Sequence, residues 1–413
     1  MAEAGGTSGP LDAPAAVGEP VLRWSSRTHT IDGIEAELAR IWASAPLTTE
    51  GVGGEPERHI AARTSVMNLV VIARRPEIGE HASAVIRMLT GRHPSRTLIV
   101  SSADPDGPSW LDAQIQAHCV LPSDDAAETC AELIVLTAGG ESGRHLAAIV
   151  APLLIHDLPV TLWWPGDPPL AARQAIELLG MADRLVVDGS HWSGDGLDRL
   201  AALARIVADR NLGDGHVAVS DFAMLRQSRW REALASSFDR PELRPFLGGL
   251  RTMTVRYAAH RGAGEGGTNV IKPLYHVAWL ASRLGMTVVE PLHAVAADDQ
   301  AELGPPMAAT LRAGRRRIPV GLVPEESPMP AGTTLAVELT ARRRSGALEV
   351  KVTAEAEAVI VRAVLDGSRL PVRHFMAPRR TEVELLAETI ESVGRDRVAT
   401  AALVAAAELG GRG

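Results

Sequence analysis

The sequence has few cysteines, few aromatic residues and almost no lysine. Its two cysteines, Cys119 and Cys130, are too few for a disulfide framework or a four-cysteine metal site, and both lie in apolar runs. We therefore expect buried structural thiols in an intracellular protein. No uninterrupted apolar stretch reaches the roughly 18–20 residues that a membrane-spanning helix needs. These absences predict a soluble, cytoplasmic protein with no membrane partner.

The charge balance is acidic, with a formal net charge of -8. A global negative charge argues against a nucleic-acid partner, which would need a positive field to attract phosphates. Residues 1–25 are rich in Ala, Gly and Pro and carry neither a basic start nor a continuous apolar segment, so they do not read as a signal peptide. The sequence predicts a flexible tail there.

Sequence motifs of catalysis are also missing. The chain contains no HExxH, no Walker GxxxxGK[ST], no GxSxG elbow, no complete EF-hand loop and no paired Cys/His metal spacing. We therefore predict a protein that is not an enzyme, with no catalytic residue, no metal and no cofactor.

Two glycine-rich segments leave an alternative open. Gly262, Gly264 and Gly267 match GxGxxG after a predicted strand, although Pro273 favours a helix that starts only near Lys272. The turn at Gly139–Gly143 could bind a small anionic metabolite through backbone N–H groups. The alternative is therefore a Rossmann-like nucleotide- or sugar-phosphate-binding enzyme or sensor.

The hydrophobic pattern divides the chain into two parts. Strands and helices alternate through residues 26–240, which predicts an α/β domain with a mostly parallel, doubly wound sheet. A segment rich in Pro and Gly, Arg240 to Gly249, indicates a boundary. Residues 250–413 contain alternating strands, with a hairpin around Arg342 to Gly346, and end in two helices. They predict a smaller α+β domain.

Large side chains mark candidate binding residues. In the predicted helix from Val270 to Leu284, three of them (Tyr275, Trp279 and Arg283) lie opposite the apolar stripe. Tyr, Trp and Arg dominate binding hot spots, but a helix packed on both sides would show the same pattern. Trp163 and Trp164 end an apolar strand, so their indoles point to opposite faces of the sheet. We expect one to be buried and the other to be available to a partner.

Four stretches together resemble a known bacterial family. They are RTSVMNLVVIA (Arg63 to Ala73), HPSRTLIV (His93 to Val100), IVAPLLIHDLPVTLWWP (Ile149 to Pro165) and HVAWLASRLG (His276 to Gly285). In order and content they look like the OpcA family of glucose-6-phosphate dehydrogenase assembly proteins. The resemblance implies a non-catalytic protein that binds glucose-6-phosphate dehydrogenase and promotes its active oligomeric state in the oxidative pentose phosphate pathway. The candidate partner-binding residues are His93, Arg96, Trp163, Trp164, Tyr275, Trp279 and Arg283.

Overall fold

The computed structural model describes most of the chain. The described residues are 9–10, 18–43, 47–50, 56–59, 62–63, 65–104, 106–121, 123, 129–209, 217–262, 267–295 and 302–411. None of the helices in these ranges is long and apolar enough to span a lipid bilayer.

The described residues form strands and helices throughout. The strands are β1 (Gly9–Pro10), β2 (Val21–Thr28), β3 (Leu47–Glu50), β4 (Pro56–His59), β5 (Ala62–Arg63), β6 (Asn68–Ile72), β7 (Arg96–Ala103), β8 (Trp110–Val120), β9 (Thr129–Gly139), β10 (Val160–Trp164), β11 (Arg184–Val187), β12 (Ala218–Asp221), β13 (Leu250–Ala259), β14 (Thr287–Ala294), β15 (Met307–Ala313), β16 (Arg316–Glu326), β17 (Thr334–Arg343), β18 (Gly346–Glu355), β19 (Ala358–Leu365), β20 (Ser368–Arg369) and β21 (Arg373–Met376). The α-helices are α1 (Ile31–Ala43), α2 (Pro76–Arg87), α3 (Gly140–Arg144), α4 (Leu146–Val150), α5 (Arg173–Leu179), α6 (Leu197–Ala208), α7 (Phe222–Leu225), α8 (Ser228–Ser236), α9 (Ile271–Arg283), α10 (Glu382–Glu391) and α11 (Arg397–Leu409). Three short 3-10 helices lie at Ala151–Leu153, Gly189–His191 and Arg244–Gly249.

The chain folds into two compact units, each assembled from three stretches. The first unit comprises Met1–Val186, Arg210–Val217 and Glu382–Val393, and the second comprises Val187–Asp209, Ala218–Thr381 and Gly394–Gly413. These units are defined by contacts and do not test whether residues 26–240 and 250–413 are separate domains. That division stays a prediction.

The sheet of the first unit has a parallel centre and an antiparallel edge. Its strands follow the order β1-β2-β8-β9-β7-β6-β10-β11. Neighbours from β9 through β7 and β6 to β10 are parallel, whereas β1, β2, β8 and β9 pair antiparallel. All five residues of β6 are buried, as expected for a strand with both faces covered. This sheet and its helices confirm the predicted α/β fold class.

The second unit contains a nine-stranded sheet. Its order is β14-β15-β16-β13-β17-β18-β19-β20, with β21 also beside β19. Strands β13 and β16 pair parallel, and each other pair of neighbours is antiparallel. Helix α9 packs on β13, and α11 packs on α9. The α+β character predicted for the C-terminal part is confirmed, including the hairpin of β17 and β18.

The two cysteines form a disulfide, so the prediction of free buried thiols is wrong. Cys119 in β8 lies directly opposite Cys130 in β9, with their Cα atoms 4.0 Å apart. The sequence indicated both strands but not their register, and it is the register that makes the two residues face each other. Disulfides persist mainly in oxidising compartments. The bond therefore removes the cysteine-based argument for an intracellular protein.

Replacing both cysteines by alanine is expected to lower the free energy of unfolding by about 2–3 kcal/mol. The bond joins residues 11 apart in sequence, and opening that loop increases the entropy of the unfolded chain. Urea denaturation of the parent and of Cys119→Ala/Cys130→Ala measures the difference. The parent in excess dithiothreitol serves as the control and should unfold near the variant's midpoint. A parent midpoint that does not respond to reduction would contradict the prediction.

Candidate functional site

Two buried aspartates of the second unit lie where strands end. Asp188 follows β11 directly, and Asp221 is the last residue of β12. Both are buried. Ligands of open α/β sheets bind beyond the carboxyl ends of the strands, which makes this aspartate pair the first place to look for chemistry.

Asp188 is held as a carboxylate by its neighbours. It accepts hydrogen bonds from Nη1 of Arg226 at 2.6 Å and from Oγ of Ser190 at 2.5 Å. Nδ1 of His191 lies 3.1 Å from Oδ2 of Asp188. Burial on its own would raise the pKa of Asp188, but the hydrogen bond with His191 and the charge of Arg226 outweigh it and hold the pKa well below its usual range. This carboxylate therefore stays charged.

Asp221 has the opposite electrostatic environment. Burial, followed by the negative charge of Asp188, raises the pKa of Asp221 to about 6. Its oxygens accept hydrogen bonds of 2.8 Å each from the backbone N–H groups of Gly189 and Ala223 and from the hydroxyl of Tyr275. The space beside it measures only about 10 Å³, which admits one water molecule at most. Asp221 is therefore sealed from any substrate.

Asn269 links the start of α9 to the segment that follows Asp188, and its Oδ1 accepts a hydrogen bond from the N–H of Ile271. Nδ2 of Asn269 donates to the carbonyl oxygens of Gly189 at 2.8 Å and Trp192 at 3.0 Å. A Cβ atom on Gly189 would lie 2.7 Å from Oδ2 of Asp221 and 2.9 Å from Ile271, so only glycine fits there. These contacts join the segment before α9 to the residues that follow β11 and to the end of β12.

A basic groove lies close to this pair, in the same unit. Its volume is about 510 Å³. The cations that line it are Arg226, Arg229, Lys272, Arg379 and Arg380, against the single carboxylate of Glu355. Apolar side chains, including Trp230, Leu335 and Val359, supply the rest of the lining. The groove is thus a concave surface suited to an anion that carries an organic group.

His93 and Arg96 have internal partners within the first unit. Nε2 of His93 lies 3.1 Å from Oε1 of Glu391. The side chain of Arg96 is 5% exposed and donates from Nε to Glu132 at 2.5 Å and from Nη1 to the carbonyl oxygen of Leu153 at 2.9 Å. In this structure Arg96 has almost no surface that a partner protein could contact.

Trp163 and Trp164 are both buried, with exposed fractions of 0% and 3%. The expectation of one available indole is wrong. Successive side chains of β10 point to opposite faces of the sheet and those from Thr161 to Trp164 are all buried, so both faces are covered.

Helix α9 is covered on two sides, because it contacts both α11 and β13. Tyr275 is buried, whereas Trp279 is half-buried and Arg283 is exposed. The sequence allowed either a binding face or a helix packed on both sides. At Tyr275 the structure shows the second. Of the seven candidate residues, Trp279 and Arg283 are the pair with the most accessible surface on one element.

The structure describes the whole of the Gly139–Gly143 turn but only the two ends of the segment from Gly262 to Gly267. Gly262 follows β13 and Gly267 precedes α9 by several residues, whereas Gly264 lies outside the described residues. In the Gly139–Gly143 turn, a Cβ on Gly139 would lie 2.0 Å from Nε1 of Trp110, and the N–H of Gly140 donates to Asp104. Anion binding at this turn stays a prediction.

Sequence reasoning missed both the aspartate pair and the basic groove. A usable signal for the pair was the placement of Asp188 and Asp221 just after predicted strands. The groove had none, because its lining comes from segments spread over residues 226–380.

Comparison with known proteins gives a consistent family. The model "Glucose-6-phosphate dehydrogenase subunit N-terminal domain" matches residues 86–205, and the corresponding C-terminal domain model matches residues 217–403. The chain is 27% identical over 210 residues to "Putative OxPP cycle protein OpcA" of Synechocystis sp.. That match covers 50% of this chain and 40% of the relative, so it spans less than half of the relative's length.

The solved structures that resemble this fold have low sequence identity and low structural similarity to the chain. The 3-ketoreductase KijD10 from Actinomadura kijaniata has a TM-score of 0.45 at 14% identity, covering 84% of this chain and 96% of its own. The transcriptional regulator Gal80p from Kluyveromyces lactis has a TM-score of 0.44 at 9% identity, covering 82% and 87%. Both are too distant to bear on function. The two family models, in contrast, follow each other along most of the sequence, and the chain belongs to the glucose-6-phosphate dehydrogenase subunit family, OpcA.

Proposed function

We propose that this chain binds glucose-6-phosphate dehydrogenase and promotes its active oligomeric state in the oxidative pentose phosphate pathway, without catalysing a reaction itself. The supporting observation is the ordered match of both family models, over residues 86–205 and 217–403, each described as a subunit of that dehydrogenase. The sealed position of Asp221 also favours a role without catalysis. A cytoplasmic location is part of the same proposal.

The surface we assign to this contact is the C-terminal end of α9. Trp279 is half-buried and Arg283 is exposed, and the two lie four residues apart on one helix, where side chains are neighbours. A rigid aromatic ring beside a guanidinium is a typical hot-spot composition. His93, Arg96, Trp163, Trp164 and Tyr275 would act indirectly, by keeping the fold that presents this surface.

Activation requires differential affinity. A partner shifts an enzyme toward its active state only if it binds that state more tightly than the inactive one. Trp279 and Arg283 would therefore make contacts in the active oligomer that are weaker or absent otherwise.

Replacing Trp279 by alanine or Arg283 by glutamate is expected to raise the concentration of this chain needed for half-maximal activation at least tenfold. Truncation of a hot-spot residue costs about 2 kcal/mol, or roughly 30-fold in affinity. Dehydrogenase activity at low substrate, titrated with parent or variant chain, measures the effect. Arg315→Glu is the matched control, because it makes the same charge reversal in the exposed turn between β15 and β16.

Two outcomes would count against the proposal. If the folded Trp279→Ala and Arg283→Glu variants activated like the parent, the α9 surface would be wrong. If the parent failed to bind or activate the dehydrogenase, or turned over a metabolite by itself, the function would be wrong.

A further inference from the structure

The basic groove contains a lysine that has no partner. Lys272 is one of only two lysines in the chain, and its ammonium group makes no hydrogen bond or ion pair with any residue that the structure describes. Burial lowers the pKa of Lys272; the nearby charge of Asp188 offsets this in part, and that of Arg226 adds to it. Lys272 is half-buried and has only the nearby charge of Asp188 to offset its own, so an anion bound in the groove would stabilise it. The groove of the isolated chain therefore lacks a negatively charged partner for Lys272.

Two residues that line the groove each carry a buried polar side-chain atom without a hydrogen-bond partner. Gln227 and Thr334 both line it, with exposed fractions of 4% and 5%. Nε2 of Gln227 donates to the carbonyl oxygen of Lys272 at 2.8 Å, but its Oε1 has no donor, and Oγ1 of Thr334 has neither a donor nor an acceptor. Buried polar atoms are almost always hydrogen-bonded, so unpaired ones inside a groove indicate a missing ligand or water.

An aromatic surface completes the lining. The indole of Trp230 packs on the ring of His276, with centroids 5.4 Å apart and planes tilted by 53°. Burial, then the charge of Arg231, lowers the pKa of His276 to about 3, so this ring is neutral. Trp230 is thereby held in place as an apolar wall of the groove.

We propose that the basic groove binds a small organic phosphate that carries hydroxyl groups. The phosphoryl oxygens would accept hydrogen bonds from Lys272 and Arg379, with Arg226 adding positive charge from its contact with Asp188. A ligand hydroxyl would donate to Oε1 of Gln227, and another would pair with Oγ1 of Thr334. The carbon skeleton would lie against Trp230.

Size and charge both fit this class of ligand. A volume of about 510 Å³ lies within the roughly 300–1,000 Å³ typical of small-molecule sites. Arg226 and Arg229 are already paired with Asp188 and Glu232, but the lining as a whole still has more cations than carboxylates, which favours an anion over a neutral metabolite. Lys272 lies in the first turn of α9, whereas Trp279 and Arg283 lie toward the other end of that helix, and the inference does not depend on the proposed function.

Calorimetric titration of the full chain alone tests the proposal. The probes are glucose 6-phosphate, NADP⁺ and inorganic phosphate, which separate a sugar phosphate from a nucleotide and either from a bare anion. We expect saturable binding of at least one of the two esters, tighter than that of inorganic phosphate. Lys272→Gln should weaken it at least tenfold, because a charge-assisted hydrogen bond is lost. Arg344→Gln, in the exposed turn between β17 and β18, should bind like the parent.

Thr334→Val gives a second test that does not depend on how well Lys272→Gln folds. Valine keeps the shape and removes only a hydroxyl that has no partner within the chain. The melting temperature without ligand should therefore stay the same or rise, while affinity for the ester falls several-fold. The proposal is overturned if neither ester binds saturably, if inorganic phosphate binds as tightly as both, or if the folded variants bind the ester like the parent.

Discussion

Replacing Arg96 by methionine is expected to lower the free energy of unfolding by about 3–5 kcal/mol. The carboxylate of Glu132 is fully buried, and it is neutralised by Arg96 and also accepts a hydrogen bond of 2.5 Å from Nε1 of Trp42. Methionine would leave that charge buried without its cation, and the carbonyl oxygen of Leu153 would lose a donor. Breaking one side of a buried ion pair is among the largest effects of a single substitution.

Urea denaturation at neutral pH measures this loss. The double variant Arg96→Met/Glu132→Gln is the matched control, since it removes both charges and still offers Trp42 an acceptor. It should recover a substantial part of the stability. Near-parental stability of Arg96→Met would mean that the ion pair contributes little.

Between pH 4 and pH 7, Asp221 is expected to reduce the free energy of unfolding of the parent by about 2 kcal/mol. Its folded pKa is raised to about 6 from an ordinary value of 3.8, and each unit corresponds to about 1.4 kcal/mol. The full shift corresponds to about 3 kcal/mol, and part of it has already been lost at pH 4, because the carboxyl is protonated in both states only well below its unfolded pKa of 3.8. As the pH rises through 6 the unfolded state is already ionised, and the contribution is lost.

Asp221→Asn removes this titration and should flatten the pH dependence over that window. Tyr275→Phe should steepen it, because the Tyr275 hydroxyl donates a hydrogen bond that favours the charged carboxylate. Asp188, whose pKa is depressed, loses its own contribution only as the pH falls below about 4, so it does not mask the effect. Unfolding free energies from urea titrations at several pH values provide the measurement. Parallel curves for the parent and Asp221→Asn would refute the prediction.

The strands and helices could be predicted well because their signals are local. Alternation of apolar residues indicated the hairpin of β17 and β18, and the two helices expected at the end of the chain are α10 and α11, the second of which is capped by Asp396, which accepts from the N–H of Val398 at 2.8 Å. Register is different, because it depends on which strands become neighbours. Cys119 and Cys130 show this in β8 and β9, as do Arg96 and Glu132, which lie opposite each other in β7 and β9 although 36 residues separate them.

Side-chain type indicated importance but not location. The HPSR segment stood out in the sequence, and the guanidinium of its Arg96 holds a buried carboxylate. Alternation correctly put Trp163 and Trp164 on opposite faces of a strand, yet it carries no information about whether a second layer covers each face. The basic groove depends on contacts between segments more than 100 residues apart, which no local pattern reports.

The three-stretch composition of each unit has a consequence for how the protein is made. The first unit includes Glu382–Val393, which contains α10, so a nascent chain that has emerged only as far as Val217 still lacks one of its helices. At about 5–20 residues per second, a ribosome needs on the order of 10–30 s to add the intervening segment. During that interval the apolar residues that pack against α10 are exposed to solvent. We expect chaperones that act during translation to bind them.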